Sequence, residues 1–310
     1  MSRLEEIETF VAIVDAGTLT EAAHRSGLAL SAVSRRLKDL ETRMGSALIH
    51  RTTRTMALTD EGQTFYQRCK QILSDLEEAE TSLKDSGGQI TGRIRVAAPL
   101  TFSVRHLAPI LLDFKTKNPE VQIELDLSDR RVDLIEEGFD LAIRIGRLTD
   151  SSMIAKRLTK IRHLPTVSPM LLDRIGRPET PEDLKRFPTL SYRHRGPKVT
   201  WDFIRPEGSA GSVEMHSAMT CNNGDVLSAA AEQGLGIAVE PTFICTDAIL
   251  SGKLEPLFVD HIWSDNAAYV VFPESRALPK RVRALIDYLA DRFSPDPWWD
   301  KELMKYYPIV

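Results

Sequence analysis

The chain has 310 residues, 42% hydrophobic and 27% charged, with a net charge of −4 at neutral pH. The length allows two or three domains with cores of their own, the composition is that of a globular protein, and the balance of charge excludes a whole-chain polycation. Cys69, Cys221 and Cys245 stand far apart, which argues against a disulfide framework or a thiolate zinc site and fits a reducing cytoplasm. Acids occupy the N-terminus where a signal peptide would need basic residues and an apolar run, and no apolar stretch has the length to cross a membrane.

In chain order, Leu4, Ile7, Phe10, Val11 and Val14 lie three or four apart, which predicts a helix with one buried stripe, stopped by Gly17. Thr18 followed by Glu21 is a capping box. It opens a short second helix to about Ser26, whose Ala22 and Ala23 permit close helix approach. Gly27 turns the chain into a third helix ending near Met44. Its buried stripe is Val33, Leu37, Leu40 and Met44, with Ser31, Ser34, Arg35 and Lys38 pointing outward. Three helices with a tight turn before the third make a helix-turn-helix pattern. The start of such a third helix meets base edges: Arg forks onto guanine, and Ser serves several bases or phosphates.

Charge agrees with this placement. From His24 to Arg54 there are seven basic side chains (Arg25, Arg35, Arg36, Lys38, Arg43, Arg51, Arg54) against Asp39 and Glu41, a net +5 within an acidic chain. A solvated charged face would explain the charge by itself. The capping box, the turn glycine, the basic third helix and "LIHRTTRTMALT" (48–59), which reads as a hairpin wing carrying Arg51 and Arg54, together favour DNA. Beyond the wing, Phe65, Cys69, Ile72, Leu76, Ala79 and Leu83 are spaced as an a/d heptad seam on one long helix. A second copy is the favoured cover for that seam, and the helix's own domain is the other. "SGGQITG" then breaks the helix at Gly87 and Gly88 and reads as a hinge.

The stretch from Gly17 to Gly62 resembles the DNA-binding domain of the LysR-type transcriptional regulators. The matching features are the Thr-x-x-Ala-Ala helix, Ser-Ala-Val-Ser, Leu-Glu, a Met-Gly in place of Leu-Gly, Arg-x-x-Arg and Leu-Thr-x-x-Gly. The match is strong over residues 1–88, and the remainder fits the family's effector domain more loosely. One departure concerns the operator. Where family members often carry Ser/Thr-Gln, this chain has Ala29 and Leu30. Ala29 has no side-chain cap to offer, which leaves that task to Ser31. Leu30 lacks the bidentate contact that Gln makes to adenine but can touch a thymine methyl.

Downstream, "RIRVAA", "VQIELDLS", "DLAIRIG", "HLPTVSP", "IAVEP" and "AAYVVFP" read as strands. Helices are predicted near 103–115, at "VDLIEEG", near 170–175, at "NNGDVLSAAAEQGLG" and at "KRVRALIDYLADRF". This alternation predicts a mostly parallel sheet. The resemblance implies an α/β fold overall: an N-terminal winged helix-turn-helix (1–59), a linker dimerisation helix (60–88), and a two-lobed periplasmic-binding-protein-like α/β effector domain (89–294). Lobe I would be 89–161 with 267–294, lobe II 162–266, with crossovers near 160–162 and 264–267. The tail, 295–310, holds two Trp and two Tyr after a Pro-broken linker. Aromatics at that density pack, either onto the chain's own lobe or into a subunit contact.

In such folds small ligands bind at the carboxyl ends of strands, between lobes. The residues this rule nominates are Thr101, Phe102, Ser103, Ser128, Arg130, Arg144, Tyr192, Trp201, Asn222 and Asn223. For Ser103 and Asn222 helix capping is an equal alternative, for Arg144 an ion pair, and for Trp201 a place in the core. Arg144 on an apolar strand points to a small anionic effector. The DNA-binding set is Leu30, Ser31, Ser34, Arg35, Arg36, Lys38, Arg51 and Arg54. No nucleophile elbow, Gly-Lys-Ser/Thr phosphate loop or His pair with metal spacing occurs, so neither an enzyme, a metal site nor a cofactor is expected. The resemblance therefore implies a cytoplasmic regulator, with double-stranded DNA, a small effector and RNA polymerase as partners. It would be a homodimer through the linker helix and a homotetramer beyond that. A ligand-independent DNA binder and an enzyme built on the two-lobed domain are the alternatives.

Overall fold

The computed structural model describes residues 2–51, 56–84, 90–147, 153–192, 198–274, 278–293 and 296–310, with backbone alone at 51, 71, 74, 75, 77–84 and 198. It divides into an N-terminal helical unit and a larger α/β unit.

The helical unit begins with α1 (Arg3–Ala16). Ser2 accepts from the Leu4 amide, and Glu5 returns to the Ser2 amide, so the reciprocal box sits here. In α2 (Leu19–Ser26) Thr18 caps the Glu21 amide at 3.1 Å, but the Glu21 carboxylate turns to Arg25 at 2.8 Å and leaves the expected box half made. Gly27, at φ +65°, supplies the left-handed turn into α3 (Leu30–Met44). Ala29 precedes α3 without a side-chain cap, and Ser31 does not replace it.

Phe10, Ile13, Ala22, Val33, Leu37, Leu40, Leu48 and Cys69 form the core of this unit. Met44, expected in the stripe, is exposed, because it is the last residue of α3 and lies a turn beyond Leu40. The wing is the antiparallel pair β1 (Ile49–Arg51) and β2 (Met56–Leu58). Its tip at 52–55, which includes Arg54, lies outside the described residues.

In α4 (Asp60–Lys84), Cys69 is wholly buried in the unit's own core, with Phe65, Tyr66 and Leu73 packed beside it. Two of the six expected seam residues, Phe65 and Cys69, are therefore covered by their own domain. Ile72 stays exposed at 47%, and the side chains of Ala79 and Leu83 lie outside the described residues. The Leu-Thr-x-x-Gly motif joins wing to helix. Thr59 Oγ1 donates to the Ala47 carbonyl at 2.8 Å and accepts from the Gly62 amide at 2.9 Å. A Cβ on Gly62 would fall 1.9 Å from the Leu48 carbonyl oxygen, so only glycine allows this approach.

In the α/β unit, β3 (Gly92–Ala98) leads into α5 (Leu100–Phe102), a π-helical turn (Ser103–Leu107) and α6 (Ala108–Lys117). Next come β4 (Val121–Leu127), β5 (Leu141–Gly146) and β6 (Met153–Ile161). Between β4 and β5, the helix expected at "VDLIEEG" is instead a turn. Asp133 Oδ1 accepts from the Ile135 and Glu136 amides, which closes a local side-chain turn, and Gly138 at φ +70° ends it before a helix can propagate. After Arg162 come β7 (His163–Val167), α7 (Pro169–Ile175), β8 (Thr189–Tyr192), β9 (Lys198–Ile204) and β10 (Ala210–Cys221). They are followed by α8 (Gly224–Glu232), β11 (Ile237–Pro241), α9 (Thr242–Leu250) and β12 (Glu255–Pro256). Last are β13 (Asn266–Pro273), α10 (Lys280–Arg292) and α11 (Trp298–Leu303).

Two sheets result, in the orders β4-β3-β5-β13-β6 and β12-β7-β11-β8-β10-β9. These are the two lobes. They are mixed, not mostly parallel. The pairs β3–β5, β8–β10 and β8–β11 are parallel, while β13 runs antiparallel to both β5 and β6, and β7 runs antiparallel to β11 and β12. The antiparallel strands include those through which the chain enters one lobe and returns to the other. Arg162 is the first crossover, between β6 and β7, and residues 264–265 precede β13 as the second. Ser264 Oγ lies 2.6 Å from His163 Nδ1 and ties the two crossovers together. No described helix is long and apolar enough to cross a membrane.

Candidate nucleic-acid interface and inter-lobe site

At the start of α3, Leu30 is exposed at 47%, and Ser31, Arg35 and Lys38 are exposed beside it, while Ser34 is half-buried. Val33, Leu37 and Leu40 hold the opposite face in the core. Ala29 gives no side-chain cap; the Ala32 amide bonds back to the Ala29 carbonyl at 2.9 Å, which leaves the Leu30 and Ser31 amides at a helix start of the kind that suits phosphate.

The basic patch divides in two. Arg25 pairs with Glu21, Arg43 with Glu6 at 2.5 Å, and Arg36 reaches back to Thr9 Oγ1 at 3.1 Å and towards Glu5. Arg36, nominated for DNA, is thus drawn onto α1. Arg35 and Lys38 carry no such acid partner among the described residues, so they are the α3 cations directed outward. Glu41 points the other way: its carboxylate accepts from the Leu48 and Ile49 amides and fixes the root of the wing. Arg51 is placed by its backbone on β1, its side chain lying outside the described residues along with all of Arg54.

In the α/β unit the lobes meet through Thr101. Its hydroxyl lies 2.5 Å from Asp225 Oδ2 and accepts from Asn223 Nδ2 at 3.3 Å. Asn223 Oδ1 also caps α8 through the Val226 amide, so Asn223 is at once cap and inter-lobe contact. Arg105 adds a bond to Asp225 at 2.7 Å and one to the Ile244 carbonyl at 3.3 Å. Arg105, Asp225, Ser228 and Lys253 help line a groove of about 370 Å³ between α8 and α9.

Asp129 caps the Leu100 amide at 3.3 Å. Burial, then the nearby Asp225, raises its pKa. Tyr192 ends β8, and burial followed by Glu240 pushes its phenol up. Glu240 itself has no exposed surface, and burial lifts its carboxyl to about 8.

Of the nominated effector residues, Thr101, Asn223 and Tyr192 come to this region. Ser128 holds the Arg130 amide at 3.3 Å, and Arg130 approaches Asp126 at 3.9 Å. Arg144 is half-buried on β5, opposite Tyr269. Asn222 is exposed, and Ser103 is buried in the π-helical turn. Two nominees sit elsewhere. Trp201 packs in the lobe II core with Val199, Phe203 and Val213. Phe102 lies in an aromatic cluster with Phe243, Phe293 and Trp299.

Arg105, Asp129 and Asp225, none of them nominated for the effector site by the sequence, also come to this region. Asp225 sits in the first turn of a helix opened by Asn223, and Asp129 follows a strand end, so position gave some signal for both. Arg105 gave none, because its partners lie some 120 residues or more away.

Two family models match the chain: the bacterial regulatory helix-turn-helix protein of the lysR family over residues 4–63, and the LysR substrate binding domain over residues 87–294. An HTH-type transcriptional repressor of Pseudomonas aeruginosa (strain UCBPP-PA14) is 36% identical over 96% of this chain and 94% of its own length. The solved structure of CrgA, a LysR-type transcriptional regulator from Neisseria meningitidis, matches with a TM-score of 0.58 at 29% identity, covering 94% of this chain and 99% of that one. Full-length LysG of Corynebacterium glutamicum, solved with bound effector Arg, shares the fold at a TM-score of 0.58 and 20% identity, over 95% of this chain and 100% of its own. With an outward basic helix beside a wing, a two-lobed α/β unit, and relatives named as regulators and not as enzymes, the chain belongs to the LysR family of DNA-binding transcriptional regulators.

Proposed function

We propose that this regulator is controlled by a small effector bound between its lobes, where Thr101, Asn223 and Asp225 meet. The observation that carries the reading is the Thr101–Asp225 contact, which joins α5, just after the first lobe I strand, to the first turn of a lobe II helix. A ligand with its own donors and acceptors would take over these bonds, and it would shift the lobes only through different affinity for their two arrangements. Arg144 motivates an anionic group in the effector. The carboxylates of Asp129 and Asp225 favour a hydrogen-bond donor as well, and a molecule with both meets both. LysG, a protein of this fold, binds Arg, a molecule of that kind.

Upstream, α3 and the wing would read an interrupted palindrome as a dimer, with the exposed Ile72 of α4 available to a second copy. Further association to a tetramer, contact with RNA polymerase and a cytoplasmic location complete the proposal. The test is footprinting on the DNA beside its own gene at physiological salt, against a random duplex. Adjacent symmetric protections that survive the competitor support a specific regulator. Binding removed equally well by random DNA overturns that and favours a ligand-independent DNA binder. Thr101→Ala is expected to keep the footprint and lose the effector response; loss of the footprint instead would make Thr101 a structural residue.

A further inference from the structure

The C-terminal segment 296–310 lies beyond the family-model match, which ends at residue 294, yet it is built into the α/β unit at three places. On lobe I, Trp299 packs against His106 at 4.3 Å between ring centroids, the rings tilted by 45°, and meets Phe102 edge-on at 6.0 Å. At the crossover, the Arg162 guanidinium forks onto two tail carboxylates, Asp300 at 2.8 Å and Asp296 at 3.1 Å. The Arg162 carbonyl is held in turn by the Thr242 amide of α9 at 2.9 Å. On lobe II, Leu303 and Ile309 are buried in the core cluster of Leu164, Leu227, Cys245 and Ile249, with Tyr307 packed against it. Of the two places open to this tail, it takes the one on its own chain.

We propose that residues 296–310 are an inter-lobe clasp: one short segment that grips lobe I, the crossover and lobe II at once, and so sets how far the lobes open. The geometry gives it little slack. Trp299, Asp300 and Leu303 lie on one buried face of α11, so a helix of two turns ties the lobe I aromatics to the lobe II core. Rotation of the lobes about Arg162 must either part Trp299 from His106 or draw Leu303 from its core. Burial makes both moves costly, since each would return apolar side-chain surface to water. Burial also lowers the His106 pKa to about 4, so the imidazole beside Trp299 is neutral at neutral pH and packs without a charge to hydrate.

The clasp reaches the proposed effector site through Phe102 and through His106, whose neighbour Arg105 bonds Asp225. Phe102 packs on Trp299 while its neighbour Thr101 holds Asp225, so α5 has the clasp on one side and the inter-lobe contact on the other. This coupling rests on the effector reading above. The setting of the lobes does not.

The experiment reads the lobes directly in the full chain. In a Cys221→Ser background, where Cys69 and Cys245 are buried, spin labels are placed on Glu120→Cys in lobe I and Asp173→Cys in lobe II, both exposed positions. Labelled protein is diluted with unlabelled protein, and the distance distribution is measured by pulsed electron resonance without effector. The unaltered clasp is expected to give one narrow distribution. Trp299→Ala is expected to broaden it about twofold or add a second distance, with faster amide exchange over residues 99–107. Asp300→Asn and the milder Trp298→Ala, at a half-exposed ring, serve if Trp299→Ala does not fold. An unchanged distribution in folded variants overturns the clasp. A changed distribution with unchanged exchange at 99–107 retains the clasp and overturns its coupling to the effector site. Loss of the effector reading would leave the distance result standing.

Discussion

The two units of this chain treat charge in opposite ways. In the helical unit the core cluster is apolar, Arg25 pairs with Glu21 at the surface, and the one acid buried among the described residues, Glu6, is met by a partly exposed Arg43. In the α/β unit, Asp300 is wholly buried against Arg162, Glu240 has no exposed surface, and His106 sits among aromatic rings. A buried charge is a poor source of stability, and removing its partner is more damaging than never having had it. The difference teaches where each unit is specified. The helical unit packs its apolar stripe inward and leaves Arg35 and Lys38 exposed on α3. The α/β unit concentrates its polar constraints where the lobes meet, which is where a change of arrangement would be controlled.

The largest expected effect tests the buried side of that contrast. Glu240 has a folded pKa of about 8 against an unfolded value near 4.5. Its folded form holds a proton that the unfolded chain gives up, so its contribution is fully present below about pH 4.5 and is lost as pH rises through about 8. Glu240→Gln is therefore expected to flatten the fall in stability of the α/β unit over that range, a change on the order of 4 kcal/mol. Thermal melts at pH 5 and pH 8.5 measure it, and equal pH slopes in both proteins would break the contrast.

Next in size is Gly62→Ala. The added Cβ would collide with the Leu48 backbone and is expected to destabilise the helical unit by about 3 kcal/mol, read by denaturant unfolding. An unchanged midpoint would mean that wing and linker helix separate easily.

The paired substitutions Arg35→Ala and Arg36→Ala sharpen the division of the basic patch. Arg35→Ala should cost about 1 to 3 kcal/mol of discrimination among duplexes and leave the melting point in place. Arg36→Ala should lower the melting point through the lost Thr9 bond and change sequence preference less. The smallest effect belongs to Arg51→Ala, expected to weaken all DNA alike and to reduce the salt slope of binding by about one unit.

Much of the helical unit was legible in the sequence because its determinants are local. The apolar spacing from Leu4 to Val14, Thr18 before Glu21, and Gly27 before the third helix each act within a few residues. The resemblance, not local spacing, put crossovers near 160–162 and 264–267, where the chain passes from β6 to β7 and enters β13. What escaped is non-local. The period of Phe65 and Cys69 suits a coiled-coil seam and a domain core equally well, and only the folded unit decides between them. Arg105, Arg162 and Asp300 meet partners far along the chain, so no spacing announces them. Trp201 and Phe102 read as site residues from their type and place, but packing puts them in cores.

The bare start of α3 has a consequence for how the protein meets DNA. In α1 and α2, Ser2 and Thr18 each cap an amide of the first turn, whereas Ala29 has no side chain to do so for the Leu30 and Ser31 amides of α3. A backbone phosphate arriving there completes the helix, so part of the stability that α3 lacks alone is returned as affinity. Restoring a cap with Ala29→Ser would steady the free helix by about 1 kcal/mol, yet its hydroxyl would compete with the phosphate for the same amides. At this one position, a more stable protein would be a weaker binder.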